Sequence, residues 1–586
     1  MLRTHTCGEL SAENLNQSVT LSGWVKRRRD HGGLIFIDLR DQYGITQVVF
    51  NPKINGEAYE VAKSIRNEFV IKITGIVESR PQDAENTNLT TGDIEIASTD
   101  LEILNTSQTT PFEIDDNINV NEEIRLKYRY LDLRRDKLHK DIQVRSKISY
   151  LVRNYLVESG FCEIETPILM KSTPEGARDF LVPSRNFAGK FYALPQSPQT
   201  YKQLLMISGF DKYFQIVKCF RDEDLRKDRQ PEFTQIDIEL SFVDENDVID
   251  VASRLTQTLF KEILNIDIEM PIKRMGYTEA FETYGSDKPD LRFGLKINRL
   301  NEIFQNTDFN AFANVVGNNG EIACLKIENG QRFSRKQIDN LITDAKKFGA
   351  KGLAFFRYTE GEISTGIAKF LKDVEKQKLI AKLNLQEDDL VLIVADNYQT
   401  TFDVLGQIRL NLAEQLDMID KSKYDLLWIT DFPLLEYDSE EQRYVARHHP
   451  FTSPVKNDIL NLETTPEKVK ARAYDLVLNG NEIAGGSIRI HDTDLQQKMF
   501  KTLGISKKEA ESKFGFLLDA LKYGAPPHGG IAFGLDRLVT VLTGNDSIRD
   551  VIAFPKTNSG LSLMDMAPSE VDNKQLLDLS IKTIDF

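Results

Sequence analysis

Between residues 19 and 104, apolar and polar positions alternate in short runs, which is the pattern of half-buried β-strands. Five segments carry this pattern: VTLSGWVKRRR, LIFIDLR, ITQVVF, EFVIKITGIVES and DIEIASTDLEIL. The stretch NGEAYEVAKSIRN, between the third and the fourth, predicts a helix. Five strands with a helix after the third are typical of a small Greek-key barrel of the OB type, a fold that binds single-stranded nucleic acid. We therefore predict an OB-type barrel over residues 1–104.

The remaining residues predict a linker and a second domain that an insert interrupts. Residues 105–140 are polar and charged, as in a hinge. Over residues 141–159, apolar side chains near helical spacing predict an amphipathic helix: Ile142, Ile148, Leu151, Tyr155 and Leu156. Mixed strand and helix patterns occupy residues 141–287 and resume over residues 421–586. Residues 288–420 have their own strands, helices and turns and predict an insert, so we expect an α+β multidomain fold.

Composition and charge narrow the class of protein. Hydrophobic residues make up 41% of the chain, and no apolar run reaches the ~20 residues of a membrane span. The N-terminus lacks the apolar stretch of a signal peptide, and the 4 cysteines have no paired spacing. We therefore expect a cytoplasmic protein with no membrane partner. The net charge of −15 argues against a generally basic nucleic-acid binder, but binding is local, and residues 26–29 form a basic cluster.

The segment FQIVKCFRDEDLRKDRQPEFTQIDIEL, residues 214–240, predicts a strand, a polar loop and a second strand. One face of the second strand carries an aromatic ring, an amide and two carboxylates: Phe233, Gln235, Asp237 and Glu239. Polar alternation usually marks a solvent-exposed face. However, Arg221 and Glu223 lie at the opening of the loop, and a triphosphate needs guanidinium donors while adenine needs an aromatic face.

Two further segments carry candidate chemistry. In GGIAFGLDRLVTVLTG, residues 529–544, a strand turns through Gly534 into a helix with Arg537 in its first turn, where an anionic ligand would offset the unfavourable helix dipole. In YDLVLNGNEIAGGSIRIHD, residues 474–492, Asp475 and Glu482 flank a turn, and paired carboxylates near phosphates are what Mg²⁺ uses. In SIRIH, alternation predicts a strand that points Arg489 toward solvent or a cleft.

Together these segments resemble motifs 2 and 3 of the class II aminoacyl-tRNA synthetases and the strand between them. GFCEIETPIL, residues 160–169, resembles motif 1, which builds the homodimer interface in that class. The resemblance implies an antiparallel sheet flanked by helices. It agrees with the absence from the sequence of a GxxxxGK[ST] loop. The barrel narrows the resemblance to the aspartyl, asparaginyl and lysyl subgroup, and the insert resembles that of bacterial aspartyl enzymes.

The resemblance implies roles for individual residues. It implies an aspartate site built from Glu175, Ser197, Gln199, Lys202, Gln235, Asp237, His448, His449 and Arg489. It implies ATP contacts from Arg221, Asp222, Glu223, Gln230, Phe233, Glu482, Gly534, Leu535, Asp536 and Arg537. Arg221, Arg537 and Glu482 would be catalytic, and Asp475 and Glu482 would hold Mg²⁺. Glu175 would belong to a lid over the substrate, and Gln235 and Asp237 would meet its ammonium group.

The implied reaction joins L-aspartate to the 3′ end of tRNA(Asp) at the expense of ATP. A cationic pocket of Lys202, His448 and Arg489 disfavours lysine, and the Arg489 fork can grip a carboxylate with two hydrogen bonds. An asparagine amide would offer donors where the fork needs acceptors. Three alternatives stand beside this interpretation: an asparaginyl enzyme, a catalytically inactive RNA-binding relative, and an adenylating enzyme that forms amides on the same fold.

On the barrel, Phe36 is a candidate platform for base stacking, and Arg29 and Gln47 are candidate tRNA contacts. Phe36 could equally belong to the barrel core. His31 lies in the turn RRRDHGGL. Some enzymes of the family with histidine at the matching position also charge the asparagine tRNA, which leaves tRNA(Asn) open as a second substrate.

Overall fold

Residues 18–105 of the computed structural model form a closed barrel with the strand order β1-β2-β3-β5-β4. The structure describes residues 1–173, 177–225 and 228–584. The barrel elements are β1 (Ser18–His31), β2 (Leu34–Arg40), β3 (Ile45–Phe50), α1 (Gly56–Ser64), β4 (Val70–Ser79) and β5 (Ile94–Asn105). The predicted OB-type fold, with its helix between the third and fourth strands, is confirmed.

Alternation along the barrel strands decides which side chains fill the core. Ile35, Ile37 and Leu39 of β2 are fully buried, whereas the residues between them face outward. A two-residue turn joins β1 to β2, and Gly32 and Gly33 both have positive φ angles there (61° and 77°). That turn geometry favours glycine at both positions.

The segment after the barrel contains two short helices, α2 (Glu122–Lys127) and α3 (Arg129–Asp132). The buried Asp132 carboxylate accepts hydrogen bonds from Arg125, Arg129 and Arg135. Burial alone would raise the pKa of Asp132, but Arg125 and Arg135 lower it. The chain divides into two compact units, residues 1–139 and 140–586, and the division falls within the expected linker.

The second part of the chain begins with a long helix. The amphipathic helix predicted from residue 141 begins earlier, at Asp136. The elements up to residue 284 are α4 (Asp136–Glu158), β6 (Cys162–Glu163), β7 (Leu181–Pro183), β8 (Phe191–Ala193), α5 (Gln199–Ile207), β9 (Lys212–Phe220), β10 (Glu232–Ser241), α6 (Glu245–Leu264), β11 (Lys273–Gly276) and α7 (Tyr277–Tyr284).

The predicted insert contains its own antiparallel sheet, with the order β12-β13-β16-β14-β15. Cys324 and Leu325 are successive residues of β13, so their side chains lie on opposite faces of the sheet. Each belongs to a different apolar cluster that includes helix residues, which means that helices cover both faces. The elements are β12 (Ile297–Arg299), α8 (Asn301–Phe304), α9 (Asn310–Gly317), β13 (Glu321–Ile327), α10 (Arg335–Lys347), β14 (Ala354–Thr359), β15 (Glu362–Ser364), α11 (Asp373–Leu383), β16 (Leu390–Asp396) and α12 (Tyr398–Gln415).

After the insert the chain returns to the central sheet. Its elements are β17 (Leu426–Thr430), β18 (Leu435–Asp438), β19 (Arg443–Ala446), β20 (Ala473–Leu478), β21 (Asn481–Ile488), α13 (Thr493–Thr502), α14 (Lys507–Leu521), β22 (His528–Gly534), α15 (Leu535–Leu542) and α16 (Asn573–Asp578). The eight-stranded sheet has the order β11-β17-β20-β21-β22-β10-β9-β6. Its internal pairs are antiparallel, as predicted, and only the two edge pairs are parallel.

The two faces of the central sheet differ in chemistry. On one face, Ile236 and Ile238 of β10 pack into a large apolar core with residues of α4, α6 and α15. The other face of β10 carries Gln235, Asp237 and Glu239, and it faces away from those helices. Among the described residues, no helix combines the length and the hydropathy needed to cross a membrane.

Candidate active site

A cavity of about 600 Å³ lies over the polar face of β10, between α5, β21 and β22. Most of the residues that the sequence assigned to a site line it: Ser197, Gln199, Lys202, Arg221, Glu223, Gln230, Phe233, Gln235, Asp237, His448, His449, Asp475, Glu482, Arg489, Gly534, Asp536 and Arg537. Glu175 lies outside the described residues. Asp222 pairs with Arg178, and Leu535 packs in the apolar core, so neither side chain lines the cavity.

One end of the cavity holds two buried cations and two buried carboxylates. Helix α5 begins after Pro198 and turns Lys202 toward β10. The Lys202 ammonium donates to Asp237 Oδ1 at 2.9 Å and lies 3.4 Å from Glu239 Oε2. Burial raises the pKa of Asp237 despite Lys202, whereas Arg489 and Lys202 overcome burial and hold the pKa of Glu239 at about 2.

Arg489 lies just past the end of its strand. The strand predicted over SIRIH ends at Ile488, and the Arg489 N–H continues the β21–β22 register by donating to the His528 carbonyl oxygen. The Arg489 side chain is 3% exposed, so of the two predicted directions, solvent or a cleft, it takes the cleft. Its Nε and Nη2 donate to the two oxygens of Glu239 at 2.9 and 3.1 Å. The fork that was predicted to grip a substrate carboxylate is therefore occupied by Glu239.

Neutral groups hold the other side of the Arg489 guanidinium. Nη1 donates to Ser487 Oγ at 2.7 Å and lies 2.6 Å from His449 Nε2. Burial, reinforced by Arg489, lowers the pKa of His449 well below its ordinary value. His449 is therefore neutral, and its Nε2 lies beside the arginine without adding a charge.

The cavity wall also carries two arginines suited to phosphate. Arg221 stacks over the Phe233 ring, with its guanidinium carbon 5.1 Å from the ring centroid. Arg537, in the first turn of α15, donates to the Glu482 carbonyl oxygen. Asp536 beside it accepts the Thr234 N–H at 2.7 Å, which fixes α15 against β10. Planar guanidinium groups beside an aromatic face fit a nucleotide.

Asp475 and Glu482 lie on either side of the tight turn between β20 and β21. A Cβ atom placed on Gly485 would lie 2.8 Å from Asp475 Oδ1 and 3.3 Å from Glu482 Oε1, so this glycine leaves both carboxylates their space. The charge of Asp475, followed by burial, raises the pKa of Glu482. Within the described residues no three His, Cys, Asp or Glu side chains form a complete metal site. Mg²⁺ commonly takes two carboxylates together with substrate phosphates, and this pair fits that use.

Several buried polar atoms on the cavity wall lack a hydrogen-bond partner among the described residues. They are Gln199 Nε2, Asp237 Oδ2, His448 Nδ1 and Asp475 Oδ1. Buried polar groups are nearly always satisfied, so a group of unpartnered ones around one cavity indicates a site for a polar ligand. The cavity thus offers both donors and acceptors to a ligand.

The barrel residues that the sequence singled out lie on one outer face. Phe36 sits between the inward-facing Ile35 and Ile37 and is half-buried, so it is not part of the barrel core. Arg29 donates to Asp38 at 2.6 Å and to Gln47 at 3.1 Å. His31 is exposed at the end of β1. These side chains form a polar surface around one aromatic ring.

Sequence reasoning did not assign roles to three residues of the site. Glu239 was placed on the polar face of its strand, but its partner Arg489 is 250 residues away. Ser487 binds that arginine, and the Cys219 thiol donates to Gln235 at 3.2 Å. The available signal was the polar alternation of β10, which gave the face of Glu239 but not its partner.

Two family descriptions match the chain. Residues 121–558 match "tRNA synthetases class II (D, K and N)", and residues 19–104 match "OB-fold nucleic acid binding domain". The first match covers most of the second compact unit, and the second covers the barrel.

Whole proteins and solved structures agree with these matches. The chain is 55% identical to the aspartate–tRNA(Asp/Asn) ligase of Caldanaerobacter subterraneus subsp. tengcongensis, over 99% of this chain and 98% of that protein. It is 52% identical to the aspartate–tRNA ligase of Clostridium botulinum, over 100% and 98%. Asparaginyl-tRNA synthetase from Pyrococcus horikoshii, complexed with asparaginyl-adenylate, shares the fold with a TM-score of 0.60 at 21% identity, over 95% and 99% of the two chains. The chain belongs to the class II tRNA synthetases of the D, K and N group.

Proposed function

We propose that this chain is an aspartate–tRNA ligase, which activates L-aspartate with ATP and transfers it to the 3′ end of tRNA. The observation that carries the proposal is the buried pair Lys202 and Arg489 on the wall of a cavity that Arg221 and Arg537 also line. Relatives more than half identical along their whole length are aspartate–tRNA(Asp/Asn) ligases.

The part of the cavity around Lys202 and Arg489 suits the amino acid. Lys202 and Arg489 are placed to donate to the side-chain carboxylate, and the unpartnered Asp237 Oδ2 to accept from the ammonium group. Lysine would turn an ammonium group, which has donors only, toward the N–H donors of Lys202 and Arg489. Asparagine would turn an NH₂ group toward N–H donors. A site built to satisfy one polar group rejects the wrong one by about 10⁴–10⁵-fold.

The reaction needs no nucleophile from the protein. The α-carboxylate of aspartate attacks the α-phosphorus of ATP, and the bond to pyrophosphate breaks to give aspartyl-adenylate. A terminal ribose hydroxyl of the tRNA then attacks the acyl carbon and releases AMP. Arg221 and Arg537 align the phosphates and stabilise their developing charge. Asp475 and Glu482 would hold Mg²⁺, which when bound supplies further positive charge beside the phosphates.

The barrel and the motif 1 segment supply the macromolecular contacts of the proposal. The outer face with Phe36, Arg29 and Gln47 would bind the tRNA anticodon, by stacking and hydrogen bonding. At the sheet edge near β6, Ile168 and Leu169 are about half exposed (51% and 52%), which fits an apolar homodimer interface. We place this homodimer in the cytoplasm.

Attachment of labelled aspartate to purified tRNAs tests the function. We expect the protein, with ATP and Mg²⁺, to aspartylate tRNA(Asp), and tRNA(Asn) as well, because relatives 55% identical over nearly the whole chain are aspartate–tRNA(Asp/Asn) ligases. Failure to aspartylate either tRNA would contradict the proposal. Aspartylation of tRNA(Asp) alone would restrict it to one tRNA.

A further inference from the structure

Glu239 lies behind Lys202 and Arg489 rather than on the cavity wall. It is on the same face of β10 as Asp237, and it is fully buried. The cavity-lining residues include Lys202 and Arg489 but not Glu239. Any effect of Glu239 on a bound amino acid is therefore exerted through these two cations.

The hydrogen bonds of Arg489 nearly exhaust its donors. A guanidinium group has five N–H bonds. Nε and one N–H of Nη2 go to Glu239, while Nη1 donates to Ser487 and lies 2.6 Å from His449 Nε2. One N–H of Nη2 remains for a ligand.

Lys202 is committed in the same way. Its ammonium group has three N–H bonds. One donates to Asp237 at 2.9 Å, and the ammonium nitrogen lies 3.4 Å from Glu239 Oε2, so the two carboxylates draw on its donors and leave few for a ligand. The two cations and two carboxylates also sum to zero charge, so the pocket recognises a carboxylate by the direction of its donors and not by a general positive charge.

We propose that Glu239 is the positioning residue that sets amino-acid specificity. Its carboxylate accepts from Nε and Nη2 of Arg489 and pairs with Lys202. We infer that this leaves one N–H from each cation for the substrate. The substrate carboxylate is then held between two residues, with one oxygen on each. Asparagine can satisfy only one of these donors, because its amide has a single oxygen acceptor. The inference rests on the proposed function and names how its specificity arises.

A glycine on the neighbouring strand leaves room for the Glu239 carboxylate. Gly530 of β22 lies opposite Glu239 in the sheet register. A Cβ atom on Gly530 would lie 2.0 Å from Glu239 Oε2, a distance that atoms cannot adopt. The Glu239 carboxylate therefore fits in this place because residue 530 has no side chain.

The test is Glu239→Gln in ATP–pyrophosphate exchange, with aspartate and asparagine measured separately. Glutamine keeps the size but puts an NH₂ group against the donors of Arg489 or Lys202, so their alignment is lost. We expect the KM for aspartate to rise by roughly 10-fold to 100-fold, the usual effect of losing a charged hydrogen bond. The preference for aspartate over asparagine should fall by a similar factor, with the KM for ATP within about twofold of the wild-type value.

Glu321→Gln is the matched control. Glu321 is a buried carboxylate that binds the Nε and Nη2 of Arg299 in the same forked geometry, at 2.9 and 2.7 Å, in the insert. It should leave the aspartate preference unchanged. If Glu239→Gln does not fold, Glu239→Asp, which withdraws the carboxylate by one methylene, should show the same loss of preference to a smaller degree.

Two results would overturn the inference. One is a Glu239 variant with wild-type KM and preference for aspartate. The other is a variant in which the KM values for aspartate and ATP rise equally, because that pattern indicates a general structural role. A wild-type protein without aspartate-dependent exchange would instead contradict the proposed function, so the two failures are distinguishable.

Discussion

The thiol of Cys219 donates a hydrogen bond to the side-chain oxygen of Gln235 at 3.2 Å. Burial raises the pKa of Cys219 well above its ordinary value, so the thiol keeps its proton and acts as a donor. Because the thiol occupies the side-chain oxygen, the NH₂ group is the part of the Gln235 amide left for a ligand in the cavity that Gln235 lines. NH₂ donors suit a carboxylate or phosphate oxygen, whereas the sequence predicts that Gln235 meets the ammonium group of the substrate.

Replacing Cys219 should change activity through this orientation. Cys219→Ala removes the donor, frees the amide to rotate, and should lower the kcat of pyrophosphate exchange by about 2-fold to 10-fold, the range for one neutral hydrogen bond. Cys219→Ser keeps a donor and should stay closer to the wild-type rate. Cys324→Ala, at a fully buried cysteine in the insert, is the control for loss of a buried thiol. Equal rates for the Ala and Ser variants would refute the positioning role.

Arg221 is expected to act on the transition state. Arg221→Ala should lower the kcat of exchange by roughly 10²–10³-fold, as when an enzyme loses a donor aimed at developing charge. Aspartate binding, measured by calorimetry, should persist, because Arg221 stacks on Phe233 and does not belong to the buried cluster around Lys202 and Arg489. Arg335 also stacks over a phenylalanine, at 5.4 Å in the insert, so Arg335→Ala is a matched control. Exchange near the wild-type rate in Arg221→Ala would rule out this role.

The like-charged pair Asp475 and Glu482 predicts a conflict between stability and function. The raised pKa of Glu482 means that the folded protein binds its proton more tightly than the unfolded chain does. The free energy of unfolding therefore falls as the pH rises from the pKa of Glu482 in the unfolded chain through its higher pKa in the folded protein. Without Mg²⁺, Glu482→Gln should unfold at a higher temperature than wild type at neutral pH, and the difference should vanish below about pH 4.

The same pair should control the Mg²⁺ requirement. Wild-type exchange should need more Mg²⁺ as the pH falls through the raised pKa of Glu482, because a protonated carboxyl is a poor ligand. Magnesium titrations of exchange at several pH values measure this dependence. A half-saturating concentration that does not change with pH would count against Glu482 as a ligand.

Phe36 should contribute to tRNA binding and not to the stability of the barrel. Phe36→Ala should weaken tRNA charging by about 1–3 kcal/mol, the worth of one stacked base, and leave pyrophosphate exchange unchanged. Its neighbour Ile37 is fully buried in the barrel core, so Ile37→Ala should instead lower stability by about 2–5 kcal/mol. A loss of exchange in Phe36→Ala equal to the loss of charging would point to a folding role for Phe36.

Local sequence patterns predicted the elements of the site better than their contacts. The alternation over β10 correctly placed Asp237 and Glu239 on one face, and Gly534 correctly marked the turn from strand into helix. The same alternation usually indicates solvent, yet both carboxylates are buried, because Lys202 and Arg489 cover them.

Contacts between distant segments leave no local pattern. Arg489 was predicted within a strand, and its N–H continues the β21–β22 register to His528 although the strand itself ends at Ile488. Its fork binds Glu239, far earlier in the chain, and only the folded sheet brings the two together. The helix predicted from residue 141 begins at Asp136, within the polar stretch predicted as a hinge, where no apolar periodicity marked it.

The central claim is that this cavity activates aspartate. Pyrophosphate exchange into ATP, run in parallel with aspartate, asparagine and lysine, tests it most directly. We predict that aspartate supports exchange with a kcat/KM about 10⁴–10⁵-fold above that for asparagine, and that lysine supports none. Exchange that is as fast with asparagine or lysine as with aspartate would contradict the assignment of Lys202 and Arg489 to an aspartate side chain.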